Sequence, residues 1–227
     1  MVLSKIIRVI LIKFFSFFYF IQRSKVIFYH DLHSDHQYTS MSTPIELFQE
    51  HIKIIRQSGY EIVSEITERY RQVEICFDDA FLGLYYHIDF LKEQNIPIHL
   101  FVVSSYIGKK DYINSKQLLE LNQLDLIKIS SHTHTHRLLC QIDQQGVANE
   151  LRKSKKILES LLDIHIDAIC YPEGKFNSEI INMAESVGYK KQYLSIPGFF
   201  SGKFRPNIVR RSLVQFASAS EFRAILI

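Results

Sequence analysis

The sequence predicts a parallel α/β domain, and two features of its 227 residues carry that prediction. After Lys25, short apolar runs alternate without interruption with longer amphipathic ones, the pattern of strands joined by crossover helices. Three polar clusters, CFDDA from Cys76, SHTHTH from Ser131 and YPEGK from Tyr171, each follow one of the apolar runs. Six to eight candidate strands suit a barrel or a doubly wound sheet, and periodicity does not choose between them. Both architectures place chemistry at carboxyl-terminal strand ends, where these clusters fall.

Taken in order, Val26 to Tyr29 reads as a strand ending at His30, and DLHSDHQYTSMS as a polar loop. Thr43, Pro44 and Glu46 form a helix start: a cap, a proline in the first turn and a glutamate placed for a capping box. That helix runs to Gly59 on a stripe of Leu47, Phe48, Ile52 and Ile55. Strands follow at Tyr60 to Val63 and Val73 to Phe77, then a helix at Tyr85 to Glu93 and a strand at Ile98 to Val103. A helix at Lys116 to Leu124 precedes a strand at Leu126 to Ser130. Gln144 to Leu162 is the longest helical pattern, with Val147, Leu151, Ile157, Leu158 and Leu161 apolar. Ile166 to Tyr171 returns to strand, Asn177 to Val187 to helix with Gly188 as its stop, and two short strands close at Tyr189 to Leu194 and Ile208 to Val214.

Composition narrows the function classes. Hydrophobic residues at 47% and charged residues at 22% are a globular balance that supports one sizeable core. A net charge of +3 is weak evidence for anionic partners. Without an arginine-rich run, a finger spacing or a base-stacking strand, nucleic acid is excluded as the expected partner. Three separated cysteines, Cys76, Cys140 and Cys170, form neither a CxxC pair nor a disulfide framework. The odd count leaves a free thiol and favours a reducing compartment.

Residues 1–24 stand apart. They are strongly apolar but broken by Lys5, Arg8 and Lys13, which share half a helical wheel with Ser4 and Ser16. This pattern predicts an amphipathic segment lying on a membrane surface, at the cytoplasmic face, with residues 25–227 as the folded domain. Spanning is disfavoured, because Lys13 near mid-bilayer costs about 3 kcal/mol.

His132 and His136 are four apart, so a helical turn sends both to one side and His134 elsewhere; an extended segment would align all three. The turn is preferred, since Arg137 to Ile142 has no strand pattern. Two imidazoles on one face suit a zinc-type cation, which needs a third ligand and an open position. Asp78 and Asp79 end an apolar strand, where two adjacent carboxylates are costly unless a cation compensates one. The other stays free to take a proton from water. Capping aspartates and solvated loop histidines are the plain alternative.

FDD before a small residue, then SHTxTH, then a strand ending YPxGKFN, resemble the metal-dependent polysaccharide deacetylases, carbohydrate esterase family four. The likeness extends over nearly all the chain after the terminal segment, including FYH, PIELFQEHIKIIRQSGYEIV and the late GYKKQYLSIPG. It implies a distorted (β/α) barrel of about seven strands. It implies Asp79, His132 and His136 as ligands of a divalent ion, zinc foremost, with cobalt, nickel or iron fitting the same donors. Asp78 becomes the general base, and the reaction is hydrolysis of an N-acetyl or similar small acyl amide on an amino sugar. A backbone amide near Glu173 is implied at the oxyanion, and Thr133 at the histidine turn. The substrate is an N-acetylated amino-sugar glycan or, given the terminal segment, a lipid-linked sugar.

Two departures from the family pattern matter. Many members carry an arginine where this chain has Cys170 and a tyrosine where it has Glu173. A branch with YPxG carries a later arginine, matched here by Arg211 in RRSLV, with Arg205 and Arg210 as competitors for restraining Asp78. The usual general acid is a histidine near the carboxyl terminus, and none follows His165. His30, at the end of the first strand, is the substitute by location, ahead of His134 and Glu173. A catalytically impaired sugar-binding or scaffolding protein is the alternative function.

Overall fold

The computed structural model describes residues 22–200 and 207–226. Its elements run β1 (Lys25–Tyr29), β2 (Asp31–His33), β3 (Ser42–Pro44), α1 (Ile45–Gln57), β4 (Glu61–Val63), β5 (Gln72–Phe77), α2 (Leu82–Tyr86), α3 (Ile88–Glu93) and β6 (Ile98–Val102). They continue α4 (Ser115–Asn122), β7 (Ile127–Ser131), α5 (Gln144–Leu162), β8 (Ala168–Cys170), α6 (Ser178–Val187), β9 (Lys191–Leu194), β10 (Ile208–Leu213) and α7 (Ala219–Leu226).

The main sheet runs β1-β10-β9-β8-β7-β6-β5 and closes through a β1–β5 pairing, so seven parallel strands make a barrel. The closing register aligns Lys25 with Val73 and Tyr29 with Phe77. β4 and β6 share the other edge of β5: Glu61 to Val63 pair with Gln72 to Glu74, and His99 and Leu100 with Cys76 and Phe77. The barrel is the choice that strand periodicity alone left open.

Strand alternation explains two cores. In β1, Ile27 and Tyr29 join the large cluster under the helices, with Val73, Ile75 and Phe77 of β5. Val26 and Phe28 turn the other way and meet Cys76, Phe101, Ala168, Cys170, Tyr193 and Val209 inside the barrel. Both faces of each strand are therefore covered, which is why the strands read as continuous apolar runs.

The helices follow their sequence signals with exceptions. α5 has the expected bounds; the Asp143 side chain accepts from the Gly146 N–H at 2.7 Å, and the helix ends at Asp163 in the left-handed region. α6 is capped by Asn177 and stopped by Gly188 at φ 97°. The predicted helix from Tyr85 to Glu93 is two short helices, α2 and α3, meeting at His87. At α1 the expected capping box is absent. Pro44 is the N-cap without a side-chain bond, and the Thr43 hydroxyl instead donates to the Gln215 carbonyl at 2.9 Å, tying β3 to the segment after β10. The polar loop contains β2 and leads into β3, which takes Thr43 and Pro44 from the predicted helix start; the two form a short parallel pair that returns the chain from β1 to α1.

The membrane expectation is corrected. No helix among the described residues is long and apolar enough to cross a membrane. Residues 1–21, on which the amphipathic reading rested, lie outside the described residues. A membrane surface as partner, membrane association and the cytoplasmic-face location are therefore not carried forward. Gln22 to Ser24 belong to the fold: the Arg71 N–H donates to the Gln22 carbonyl and the Ser24 N–H to the Arg69 carbonyl.

Candidate metal centre

Asp78 and Asp79 leave the end of β5, His132 and His136 follow β7, Cys170 ends β8 and Arg211 projects from β10, all at the barrel's carboxyl-terminal mouth. Two main-chain bonds set the first two loops, Asp78 N–H to the Tyr29 carbonyl at 3.0 Å and His132 N–H to the Val102 carbonyl at 2.8 Å. Beyond them the backbone kinks. Asp79, Ala80, Thr133 and His136 have φ of 70°, 63°, 68° and 60°. Each costs about 1–2 kcal/mol for a residue with a Cβ. Four such residues in the two ligand loops turn side chains inward that regular structure would send elsewhere.

Asp79 Oδ1 lies 3.6 Å from His132 Nε2 and 3.4 Å from His136 Nε2. The two imidazole rings are 4.8 Å apart at 75°. The convergence is not that of a helical turn, which the i, i+4 spacing suggested. Residues 132–136 are irregular, and the left-handed residues do the work. His134 points away, as expected, its Nδ1 paired with the Ser104 hydroxyl at 2.9 Å.

These residues fit a cation. The His132 Nδ1–H donates to the Cys170 carbonyl at 2.8 Å, which fixes the tautomer and leaves a lone pair on Nε2. That lone pair faces Asp79 Oδ1, a buried carboxylate oxygen with no hydrogen-bond partner. Burial pulls His132 down to about 3 and lowers His136, so both imidazoles are neutral donors of electron pairs. Burial and then the Asp78 charge push Asp79 up to about 7. Three electron-rich atoms within 4.8 Å of one another, one an orphan, are what a divalent ion satisfies. His136 is 29% exposed, so the centre is open to solvent on that side.

Two other clusters have ligand-like spacing, Glu74–Cys76–His99 and Asp78–His132–Cys170. Neither has an orphan. His99 is satisfied at both nitrogens, by Glu74 at 2.8 Å and the Ser130 hydroxyl at 2.7 Å. Asp78 is taken by Arg211, whose Nη1–H and Nη2–H donate to Oδ1 and Oδ2 at 2.7 and 2.8 Å. The Cys170 thiol, raised by burial, sits 2.8 Å from the same Nη2. With cysteine rather than a long side chain there, the fully buried Arg211 reaches across from β10, its guanidinium 4.3 Å from the centre of the Phe28 ring. Burial alone would raise Asp78; the charge of Arg211 and its hydrogen bonds outweigh it and hold the carboxyl well below its ordinary range.

His30 follows β1, its Nδ1 paired with Gln215 Oε1 at 2.5 Å. Glu173 lies in the turn after β8 at φ 53°, 56% exposed and paired with Lys175 at 3.0 Å, so its carboxylate is not brought into the cluster. Gly174 keeps that turn close: a Cβ there would come within 2.5 Å of the Ser195 nitrogen. Two residues that sequence reasoning missed shape the site. Glu150, buried on α5, accepts from the His134 and Thr135 N–H groups at 2.9 and 2.7 Å and from the Thr135 hydroxyl. Gln215 orients His30. The Thr133 hydroxyl, expected to hold the histidine turn, is buried without a partner; the Thr133 N–H to the Ser131 hydroxyl serves instead.

The cation affinity carries a pH signature. Asp79 binds a cation only when ionised, and without one it is shifted up to about 7. Affinity should therefore be flat above about pH 7 and fall about tenfold per unit below it, as a proton must be displaced. Calorimetric titration of the metal-free protein with zinc from pH 5.5 to 8.5 measures this; an affinity independent of pH contradicts it.

A closed parallel barrel with an aspartate and two histidines converging at its mouth has the architecture of a metal-dependent hydrolase. The family model described as polysaccharide deacetylase matches residues 66–191, more than half the chain, and the chain belongs to that family. It is 27% identical over 184 residues to YxkH of Bacillus subtilis (strain 168), whose own polysaccharide-deacetylase designation is provisional. That match takes in 76% of this chain and 64% of the relative, so the chain spans under two thirds of it. The fold resembles the Streptococcus pyogenes deacetylase PplD, solved with acetate, at a TM-score of 0.79 and 20% identity over 90% of this chain and 98% of that one. It also resembles BC0361, a polysaccharide deacetylase from Bacillus cereus, at a TM-score of 0.80 and 18% identity over 91% and 69% of the two chains.

Proposed function

We propose that the chain hydrolyses the N-acetyl, or a similar small acyl, amide of an amino sugar within a glycan, using one divalent cation, zinc, held by Asp79, His132 and His136. The observation that carries this reading is the orphaned Asp79 oxygen facing two imidazole nitrogens beside an ionised, arginine-clamped carboxylate. When bound, the cation supplies Lewis acidity, polarising an acyl carbonyl and making water easier to deprotonate.

Asp78 is the general base. Its Oδ2 is 4.0 Å from His132 Nε2, at the rim of the ligand set, and Arg211 keeps it ionised and oriented. The same clamp weakens it as a base, so it would need a water made more acidic by the cation that Asp79, His132 and His136 would hold. In this reading a backbone amide near Glu173 is the donor assigned to the developing oxyanion. Expelling an amide anion is prohibitive, so the leaving amine takes a proton from His30. Pairing of Nδ1–H with the Gln215 oxygen leaves Nε2 to carry that proton.

The direct test is mass spectrometry of N-acetylglucosamine oligomers before and after incubation with the zinc-loaded protein. Loss of 42 mass units per acetyl group (about, from the chemistry of deacetylation) with matching acetate supports the reading, and no acetate from any glycan rejects it. His30→Ala should lower turnover of an amide about 10²-fold. An aryl acetate, whose leaving group needs no proton, should be affected far less. Equal losses on both substrates would remove His30 from the acid role.

A further inference from the structure

The segment between β6 and α4 is pinned to both ligand loops. On one side, the Ser104 and Ser105 N–H groups donate to the Thr133 and His134 carbonyls at 3.2 and 2.9 Å. On the other, the Ile113 N–H donates to the Ala80 carbonyl at 3.0 Å and the Leu82 N–H to the Asp111 carbonyl at 2.9 Å. Between these ties stand Tyr106 and Tyr112, both half-buried.

Their rings are fixed by packing. Tyr112 stacks on Phe81, two residues after Asp79, with centroids 4.6 Å apart at 24°. Tyr106 leans on Tyr112 at 4.7 Å, carries Lys109 over its face at 4.6 Å and lies 6.5 Å from the His136 ring. The ring faces are therefore occupied, and what remains to offer is the hydroxyls. Neither hydroxyl has a hydrogen-bond partner among the described residues, and neither is sealed from solvent. Burial first, and the Asp79 charge next, push both phenols upward, Tyr112 to about 12, so each remains a proton donor.

We propose that Tyr106 and Tyr112 form a rigid donor wall that hydrogen-bonds the hydroxyl or ring oxygens of the amino-sugar unit bound at the metal centre. This rests on the deacetylase reading for the identity of the ligand. Glycans present acceptor oxygens around every ring, and donors already held in place bind them with little ordering cost. The wall sets which sugar orientation carries its acyl group to Asp79, His132 and His136. Its residues position the substrate and take no part in bond breaking.

The test is Tyr106→Phe, Tyr112→Phe and the double variant, which keep the ring packing and remove only the hydroxyls. Probes are β-1,4- and β-1,6-linked N-acetylglucosamine oligomers, with kcat, KM and zinc content measured, and binding followed by saturation-transfer NMR. Each single change should raise KM about 3- to 10-fold and the double about 30-fold, with kcat within about threefold and zinc content unchanged. An active wild type whose double variant keeps its KM overturns the wall and leaves the reaction standing. A wild type that binds an oligomer without releasing acetate, with binding weakened in the double variant, rejects the deacetylase reading and keeps the wall. A wild type that neither binds nor cleaves any oligomer rejects both.

Discussion

Asp78→Asn is expected to lower kcat about 10³-fold while the protein keeps its full complement of zinc. The exchange preserves shape and removes the charge that accepts a proton, a loss usually worth 10²- to 10⁴-fold. Zinc content is spared because Asp78 is committed to Arg211 through both oxygens, whereas Asp79 Oδ1 is the atom left without a partner. His132→Ala is the contrast: it removes one of three donors and should strip the metal. Elemental analysis of both variants beside the wild type, with acetate release, decides the division of labour. Equal zinc loss in the two would reject it. A carboxamide accepts from only one arm of the guanidinium and turns N–H toward the other. Thermal or urea unfolding of Asp78→Asn should therefore show a loss of about 3 kcal/mol even where turnover is the larger effect.

Much of this centre was legible because its parts are local in the sequence. Asp78 and Asp79 directly follow an apolar run, and the family resemblance singled out Arg211 from three arginines; the structure pairs that arginine with Asp78. What was not legible depends on distant segments or on backbone geometry without a residue signature. The left-handed conformations at Asp79, Ala80, Thr133 and His136 use no glycine, so nothing in the letters marked them, and a helical turn was inferred where a kinked loop stands. Thr43 looked like a cap because Pro44 and Glu46 follow it, but its hydroxyl is claimed by the Gln215 carbonyl, 172 positions away.

Glu150 did leave a trace. It interrupts the buried stripe of α5, adjoining Val147, Leu151 and Ser154, where a carboxylate is expensive unless it is paired. An acidic residue on the apolar side of a long helix was a signal for exactly such a bond to an irregular loop, and the two N–H groups after Thr133 supply it. Barrel closure, by contrast, had no signal in strand periodicity, and only the family resemblance implied it. It rests on β1 meeting both β5 and β10, pairings that no periodicity within a strand encodes.

Arg211→Met should destabilise the fold by about 3–5 kcal/mol at neutral pH, the usual cost of leaving one buried charge alone. Methionine retains much of the side-chain volume between Phe28 and Phe101, so the loss reports the charge more than a cavity. The sign with pH follows from Asp78. In the wild type Arg211 holds its carboxyl below the unfolded value of about 3.9, so its contribution is present above that value and is lost as pH falls through the depressed one. Without the guanidinium, burial dominates and the carboxyl moves above the unfolded value instead. Unfolding then releases a proton, and the variant's deficit should widen as pH rises from about 4 to 7. Urea unfolding of both proteins at those two pH values measures the difference; a deficit that is constant, or larger at pH 4, contradicts the clamp. The double variant Asp78→Asn, Arg211→Met removes both charges and should be more stable than Arg211→Met alone, which separates an unpaired carboxylate from lost packing.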